Sequence, residues 1–306
     1  MIDPYIQDLM TAMAESGFRL PDPLNAVTLR ATLDVPMPAP PVEIAERRDL
    51  NLGDGMGGRL YHPAVGEILP VLLFFHGGGW VHGTLDTHDR MAAALAFGAN
   101  CAVVSVDYRM APESPFPAAW DDAVRALDWV RAHADDLGID ASRIAVGGDS
   151  AGGNIAAALA QKVAGDASVV HQLLFYPALD GRCGSASYEQ EQPGFLTPSQ
   201  MRWYWDQYAT GPLRDDPRAS PLLGEISSGL AAATIIIADN DPLHDEGVAY
   251  AQALEAAGVP VRLHDFPGAI HGFVSLFGMI PVADEALQVA VSALRDALAS
   301  RAEAAG

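Results

Sequence analysis

Apolar positions along the chain fall into two rhythms that alternate. Short runs that are apolar at nearly every position occur at Val71-Leu72-Leu73-Phe74-Phe75, at Ala102-Val103-Val104-Ser105-Val106 and at Ile144-Ala145-Val146. Runs of this kind predict strands covered on both faces, as in a parallel sheet. Further strands are predicted at residues 172–176, 234–238 and 261–266. Between and after them the spacing becomes helical. One helix is predicted from Pro117 to Gly138, with Val124, Leu127 and Val130 on one face, and an alanine-rich helix runs through Ile155 to about Ala160. Two more helices are predicted at residues 247–257 and 283–301. Two short strands at 46–52 and 59–62, separated by Gly53-Asp54-Gly55-Met56-Gly57-Gly58, read as a hairpin. The expected fold class is α/β: a mostly parallel eight-stranded sheet flanked by helices, with the first strands antiparallel at its edge.

Two segments fall outside that alternation. Residues 1–45 carry Ile6, Leu9, Met10 and Met13 at helical spacing, then a second short helix over 24–33. A linker containing Pro36, Pro38, Pro40 and Pro41 follows. Residues 183–221 contain Thr197-Pro198-Ser199-Gln200, a capping box with proline at the first helical position, opening an aromatic helix that stops at Gly211-Pro212. Met201, Trp205 and Tyr208 share one face of it, with Trp203 and Tyr204 on the other. The expected division is therefore N-terminal cap helices at 1–45, a first core part at 46–182, an inserted cap segment at 183–221 and a second core part at 222–306.

Composition narrows the function classes. The chain has 306 residues, 50% of them hydrophobic and 19% charged, which suits a folded enzyme-sized body. No apolar run approaches the roughly 20 residues that span a bilayer, and the N-terminus lacks a basic leader, so a cytoplasmic location is expected. A net charge of −21 argues against nucleic acid and anionic membranes as partners. Cys101 and Cys183 lack metal-ligand or redox spacing, and Cys101 is expected to pack as a small hydrophobe.

The chemistry centres on Gly147-Gly148-Asp149-Ser150-Ala151-Gly152-Gly153-Asn154, set between an apolar strand and an alanine-rich helix. Gly-x-Ser-x-Gly in a strand–turn–helix context is a nucleophile elbow, whereas outside such a context it is a glycine-rich turn without chemistry. A serine at neutral pH needs a base, and the base needs an orienting carboxylate. His271, in the segment after the last strand, is the expected base. His264 lies within a strand and is expected to be structural, and His244 stands too close to Asp241 in sequence. Asp239, Asp241 and Asp245 all follow the preceding strand. Asp245 suits a helix start and Asp239 lies close to the strand, so Asp241, held extended before Pro242, is chosen as the acid. His76-Gly77-Gly78-Gly79 supplies unobstructed backbone N–H groups at the end of a buried strand, and Ala151 supplies another just after the serine.

Taken together, His76-Gly77-Gly78-Gly79-Trp80, Asp107-Tyr108-Arg109-Met110-Ala111-Pro112-Glu113, Phe116-Pro117-Ala118-Ala119, Gly148-Asp149-Ser150-Ala151-Gly152-Gly153-Asn154, Asp241-Pro242-Leu243 and His271-Gly272-Phe273 resemble the bacterial hormone-sensitive-lipase-like (family IV) carboxylesterases of the α/β-hydrolase superfamily. The resemblance implies the α/β-hydrolase fold with a helical cap, and often homodimers. It implies Ser150, Asp241 and His271 as triad and Gly78, Gly79 and Ala151 as oxyanion hole. His76 is implied to support the glycine loop without acid–base work. His244, where arginine is more usual, and Asn240 depart from the family pattern beside the acid. Arg109 and Glu113 are expected to form one structural turn network, and Asp149 either orients the neighbouring loop or caps the turn. Trp80, Phe195, Trp203 and Trp205 are expected to shape the substrate pocket.

The expected activity is hydrolysis of short- to medium-chain carboxylic esters through an acyl-enzyme, on a small-molecule substrate and with no metal or cofactor. An amidase or arylacetamide-deacetylase-like hydrolase would use the same triad. A non-catalytic ligand-binding module is disfavoured because all three triad positions are filled. An interfacial lipase is disfavoured by the acidic charge and short lid.

Overall fold

The computed structural model describes residues 2–36, 42–190 and 194–299. The N-terminal segment forms α1 (Pro4–Glu15), whose first turn is capped by the Asp3 carboxylate, and α2 (Ala26–Leu33), capped by Asn25. The body then runs β1 (Glu46–Asn51), β2 (Gly57–His62), β3 (Leu69–Phe75), α3 (Asp89–Ala99), β4 (Ala102–Asp107), α4 (Ala118–Ala132), α5 (Ala134–Leu137), β5 (Ile139–Asp149), α6 (Ala151–Lys162) and β6 (Val169–Phe175). It continues with α7 (Pro198–Tyr208), β7 (Ala232–Asn240), α8 (His244–Ala256), β8 (Val261–Ile270) and α9 (Pro281–Leu298). The eight strands form one sheet in the order β1-β2-β4-β3-β5-β6-β7-β8. β1 and β2 pair antiparallel and β2 joins β4 antiparallel, while every other pairing is parallel.

The two-residue period of the strands sorts their side chains into two cores. Val71, Leu73 and Phe75 of β3 pack with α4, α6 and α8, whereas Leu72 and Phe74 pack with α3 and α9. β4 and β7 divide in the same way, with Val104 and Ile235 on one side and Val103 and Ile236 on the other. This two-sided burial is why the central strands read as unbroken apolar runs. No described helix is long and apolar enough to cross a membrane.

Several elements differ from expectation. α3 was not anticipated; its Met91-Ala92-Ala93-Ala94-Leu95-Ala96 run is apolar all round and buried, so it lacks the amphipathic contrast that marks a helix. The helix expected over 117–138 is interrupted at His133, whose Nδ1 bonds the Trp129 carbonyl at 2.8 Å, and divides into α4 and α5. β8 continues through Pro267 to Ile270 where a loop was expected. It is an edge strand, so a proline without an N–H is tolerated there. The same edge position leaves His264 half-exposed instead of packed into the sheet. Pro38, Pro40 and Pro41 of the linker and the expected end of the last helix at Arg301 lie outside the described residues.

Behind the strand ends, Glu246 of α8 is buried. Its Oε2 accepts the N–H groups of Leu179 (2.6 Å) and Asp180 (3.0 Å), holding the segment after β6 against α8. Burial outweighs these donors and pushes its carboxyl up to about 8. A raised pKa in the fold means that the native state holds a proton the unfolded chain gives up. The associated stability is present below the ordinary glutamate value of 4.5 and is lost as pH rises through about 8. Glu246→Gln keeps an acceptor oxygen and cannot ionise. Its melting temperature should gain on the parent between pH 4.5 and 8, with the gap flat at higher pH. Melting curves for the pair across that range check this, and a constant gap contradicts it.

Candidate active site

β5 ends at Asp149 and α6 begins at Ala151, so Ser150 alone makes the turn, with φ 56° and ψ −116°. A non-glycine residue in this region is strained and needs its surroundings to hold it there. Here the Ser150 N–H donates to the Phe175 carbonyl at 2.8 Å, and the Ser150 carbonyl accepts from Asn154 (3.0 Å) and Ala178 (3.3 Å). Gly148 and Gly152 let the turn press on β3: a Cβ at either would run into the Phe75 carbonyl oxygen. Ser150 spends no side-chain bond on capping α6. Its hydroxyl faces His271 instead.

His271 follows the last residue of β8, and its Nε2 lies 2.9 Å from Ser150 Oγ. Its Nδ1 lies 2.6 Å from Oδ2 of Asp241, which follows β7 and is fully buried. The other oxygen, Asp241 Oδ1, accepts the Leu243 N–H at 2.9 Å. The carboxylate can only accept, so the histidine proton sits on Nδ1 and Nε2 is left to accept from the serine. The rival carboxylates are engaged elsewhere. Asp239 accepts the Gly268 N–H, and Asp245 accepts the Ser187 N–H. His244 bridges Asp245 (3.0 Å) and Asp265 (3.1 Å). Burial disfavours its charge, but the two carboxylates outweigh burial and raise its pKa.

The glycine loop lies beside Ser150, and each of its peptide planes is held from one end. A trans peptide points its C=O and its N–H in opposite directions, so fixing one fixes the other. His76 Nδ1 donates to the Gly77 carbonyl at 2.8 Å, which aims the Gly78 N–H. The N–H groups of Val81 and His82 both donate to the Gly78 carbonyl at 3.0 Å, which aims the Gly79 N–H. One plane earlier, the Gly77 N–H donates to Asp149 Oδ1 at 2.9 Å, so Asp149 orients the glycine loop. Its Oδ2 faces His88 Nε2 at 3.3 Å. Burial opposes charge on both, yet their attraction prevails: Asp149 is lowered and His88 raised. His76, stacked on Tyr108 and fully buried, is pushed down to about 4 and stays neutral.

A cavity of about 640 Å³ opens over Ser150, His271, Gly78 and Gly79. Its far wall includes Met10, Met13 and Phe18 from the α1 region, and Leu196, Met201 and Tyr204 from the inserted segment. Of the aromatic residues expected to line it, Phe195 does so. Trp80 and Trp205 instead belong to the core: both are fully buried, and Trp80 stacks on Tyr208 with ring centres 4.2 Å apart. Trp203 is partly buried against the same core and does not line the cavity. The apolar face of α7 turned inward, so the adjacent Tyr204 took the lining position. Arg109 and Glu113 belong to two networks and not one: Arg109 pairs with Asp122 of α4, and Glu113 with Arg30 of α2.

Asn154 and His88 escaped the sequence reading. Asn154 Nδ2 bonds the Ala178 and Ala219 carbonyls, both at 2.7 Å, tying α6 to the chain just before the inserted segment and to that segment's end. Asn154 sat in the quoted motif without a role, and His88 reaches Asp149 across 61 positions with no local signal.

Residues 72–275 match the family model described as the alpha/beta hydrolase fold. The ethyl acetate hydrolase of Pseudomonas putida is 44% identical over 78% of this chain and 78% of its own. The carboxylic ester hydrolase LipN of Mycobacterium tuberculosis is 39% identical over 96% of this chain and 82% of its own. Among solved structures, a hyperthermophilic esterase from Pyrobaculum calidifontis superimposes with a TM-score of 0.88 at 34% identity, covering 96% of this chain and 98% of that one. The strand order, the elbow and these similarities together place the chain in the α/β-hydrolase family, in its hormone-sensitive-lipase-like branch of carboxylesterases.

Proposed function

We propose that this carboxylic ester hydrolase acts on short- to medium-chain esters through an acyl-enzyme formed on Ser150. The observation that carries the proposal is the chain Ser150–His271–Asp241, with contacts of 2.9 and 2.6 Å and the carboxylate end fully buried. His271 takes the serine proton as Oγ attacks the ester carbonyl. Asp241 holds the imidazole and stabilises its protonated form. The N–H groups of Gly78, Gly79 and Ala151 receive the oxyanion, and the start of α6 adds its dipole at the same place. His271 then protonates the departing alcohol, and water repeats the sequence on the acyl-enzyme.

His76 works through geometry. Fully buried and absent from the cavity wall, it does not reach the substrate as a base, but its Nδ1–H aims the Gly78 donor. Residues 1–45 and 183–221 act as the cap, since both contribute the apolar wall opposite the serine. A cavity of about 640 Å³ accommodates a small apolar acyl or alcohol group comfortably. The activity for which the Pseudomonas relative is named, on ethyl acetate, lies at the small end of that range.

A fluorophosphonate probe should add one covalent mass to the folded protein, at Ser150, and the Ser150→Ala variant should take none. Ser150→Ala should lower kcat on a p-nitrophenyl ester by about 10⁴-fold or more, and Asp241→Asn by a comparable factor through the wrong imidazole tautomer. An unlabelled Ser150 in folded protein defeats the proposal. Hydrolysis of a matched anilide as fast as the ester would assign the site to amide substrates. His76→Phe retains the ring on Tyr108 and removes the N–H. It should lower kcat by about 10- to 100-fold with KM little changed, and unchanged kcat would remove His76 from the oxyanion loop.

A further inference from the structure

We infer that Asp34, His82 and Tyr204 form a brace through which both cap segments set the position of the Gly78–Gly79 peptide. The inference rests on the oxyanion-hole reading above. It gives the cap a second task besides roofing the cavity, namely holding the donors that meet the reacting oxygen.

The loop from Gly78 to Gly83 is folded on itself. The bonds from Val81 and His82 to the Gly78 carbonyl close it, and a Cβ on Gly78 would run into the His82 carbonyl. Any displacement of Val81 or His82 therefore tilts the Gly78 carbonyl, and with it the Gly79 N–H in the same rigid peptide plane. Val81 is anchored in the core, and the cap adds polar contacts along Val81 to Gly83. Asp34, directly after α2, accepts the Gly83 N–H at 2.7 Å, and its Oδ1 stands 3.7 Å from His82 Nδ1. Burial works against ionised Asp34, but His82 and the Gly83 N–H outweigh it and hold its carboxyl below the ordinary range. One turn earlier on α2, Arg30 donates to the Val81 carbonyl at 2.6 Å.

The inserted segment reaches the same loop from the other side. Tyr204 presents its hydroxyl to His82 Nε2 at 3.1 Å. Its ring lies directly on Gly79, where a Cβ would run into it. α7 has little freedom to move that ring, because Met201, Trp205 and Tyr208 anchor the helix in the core. His82 thus faces the Asp34 carboxylate of the N-terminal cap with one nitrogen, at 3.7 Å, and is hydrogen-bonded at the other to Tyr204 of the inserted cap. Its own backbone carries the N–H that positions Gly78.

Three conservative variants test the brace: Asp34→Asn, His82→Gln and Tyr204→Phe, the last keeping the ring on Gly79. Each is measured for kcat and KM on p-nitrophenyl butyrate, for the inhibition constant of a trifluoromethyl ketone, whose adduct places an oxyanion in the hole, and for melting temperature. Fluorophosphonate titration supplies the concentration of competent sites, so partly unfolded preparations are corrected for. In each variant kcat should fall about 10- to 100-fold while KM stays within about twofold. Ketone affinity should fall by the same factor as kcat. Asp34→Asn combined with Tyr204→Phe should cost no more than the worse single change, because both act through one unit. Unchanged kcat, or a rise in KM alone with unchanged ketone affinity, would make these residues mere cavity lining and overturn the inference. Failure of the unsubstituted protein to take the fluorophosphonate would instead overturn the catalytic reading beneath it.

Discussion

The close approach of two backbones, the end of β3 and the turn around Ser150, is the constraint on which the rest of the site depends. Gly148 and Gly152 bring the elbow against the Phe75 carbonyl, where any side chain would collide. This approach places the glycine loop, which continues directly from Phe75, beside the serine that leaves β5. It also explains why the turn is a single strained residue: Ser150 has no room to spread its conformation over neighbours, and three backbone bonds hold it. Ser150 and the Gly77–Gly79 loop are thus placed by one contact between adjacent parallel strands, before any side-chain chemistry is considered.

Beneath that contact lies a layer of buried polar groups that would be costly unless paired. Asp149 and His88 offset each other's burial and lend a carboxylate oxygen to the Gly77 N–H. His76 takes the opposite course, staying neutral and donating to the next carbonyl along. The loop therefore has its peptide planes fixed in succession by Asp149, His76 and the backbone N–H groups of Val81 and His82. Asp241 repeats the pattern at the other strand ends: fully buried, with one oxygen on a backbone N–H and the other on His271. Such pre-set dipoles need no reorganisation when charge develops at the reacting carbonyl.

The strand–helix alternation, the tight turn at Ser150 and the strand-end places of Asp241 and His271 were legible because each is a local pattern with a direct physical cause. Runs buried on both sides must be apolar, a tight turn under close approach must be glycine, and a group at a strand's C-terminal end projects into the cleft. What was not legible depends on which face of an element turns inward. Trp80 and Trp205 resembled pocket aromatics and are core, because α7 packs by its Met201–Trp205–Tyr208 stripe and leaves Tyr204 over the loop. α3 was missed because its Met91–Ala96 run is apolar and buried on every side and so shows no polar face.

The sequence by itself determined the sheet class, the place of the tight turn at Ser150 and the strand-end segments that carry Asp241 and His271, since these follow from spacing and from the order of motifs along the chain. Only the tertiary structure decided how the partners are held. The Asp149–His88 contact, the Arg30 and Asp34 bonds to the glycine loop and the Asn154 tie to Ala178 and Ala219 join segments 24 to 65 residues apart. Contacts at such separations arise from chain crossings in three dimensions, and no local periodicity records them.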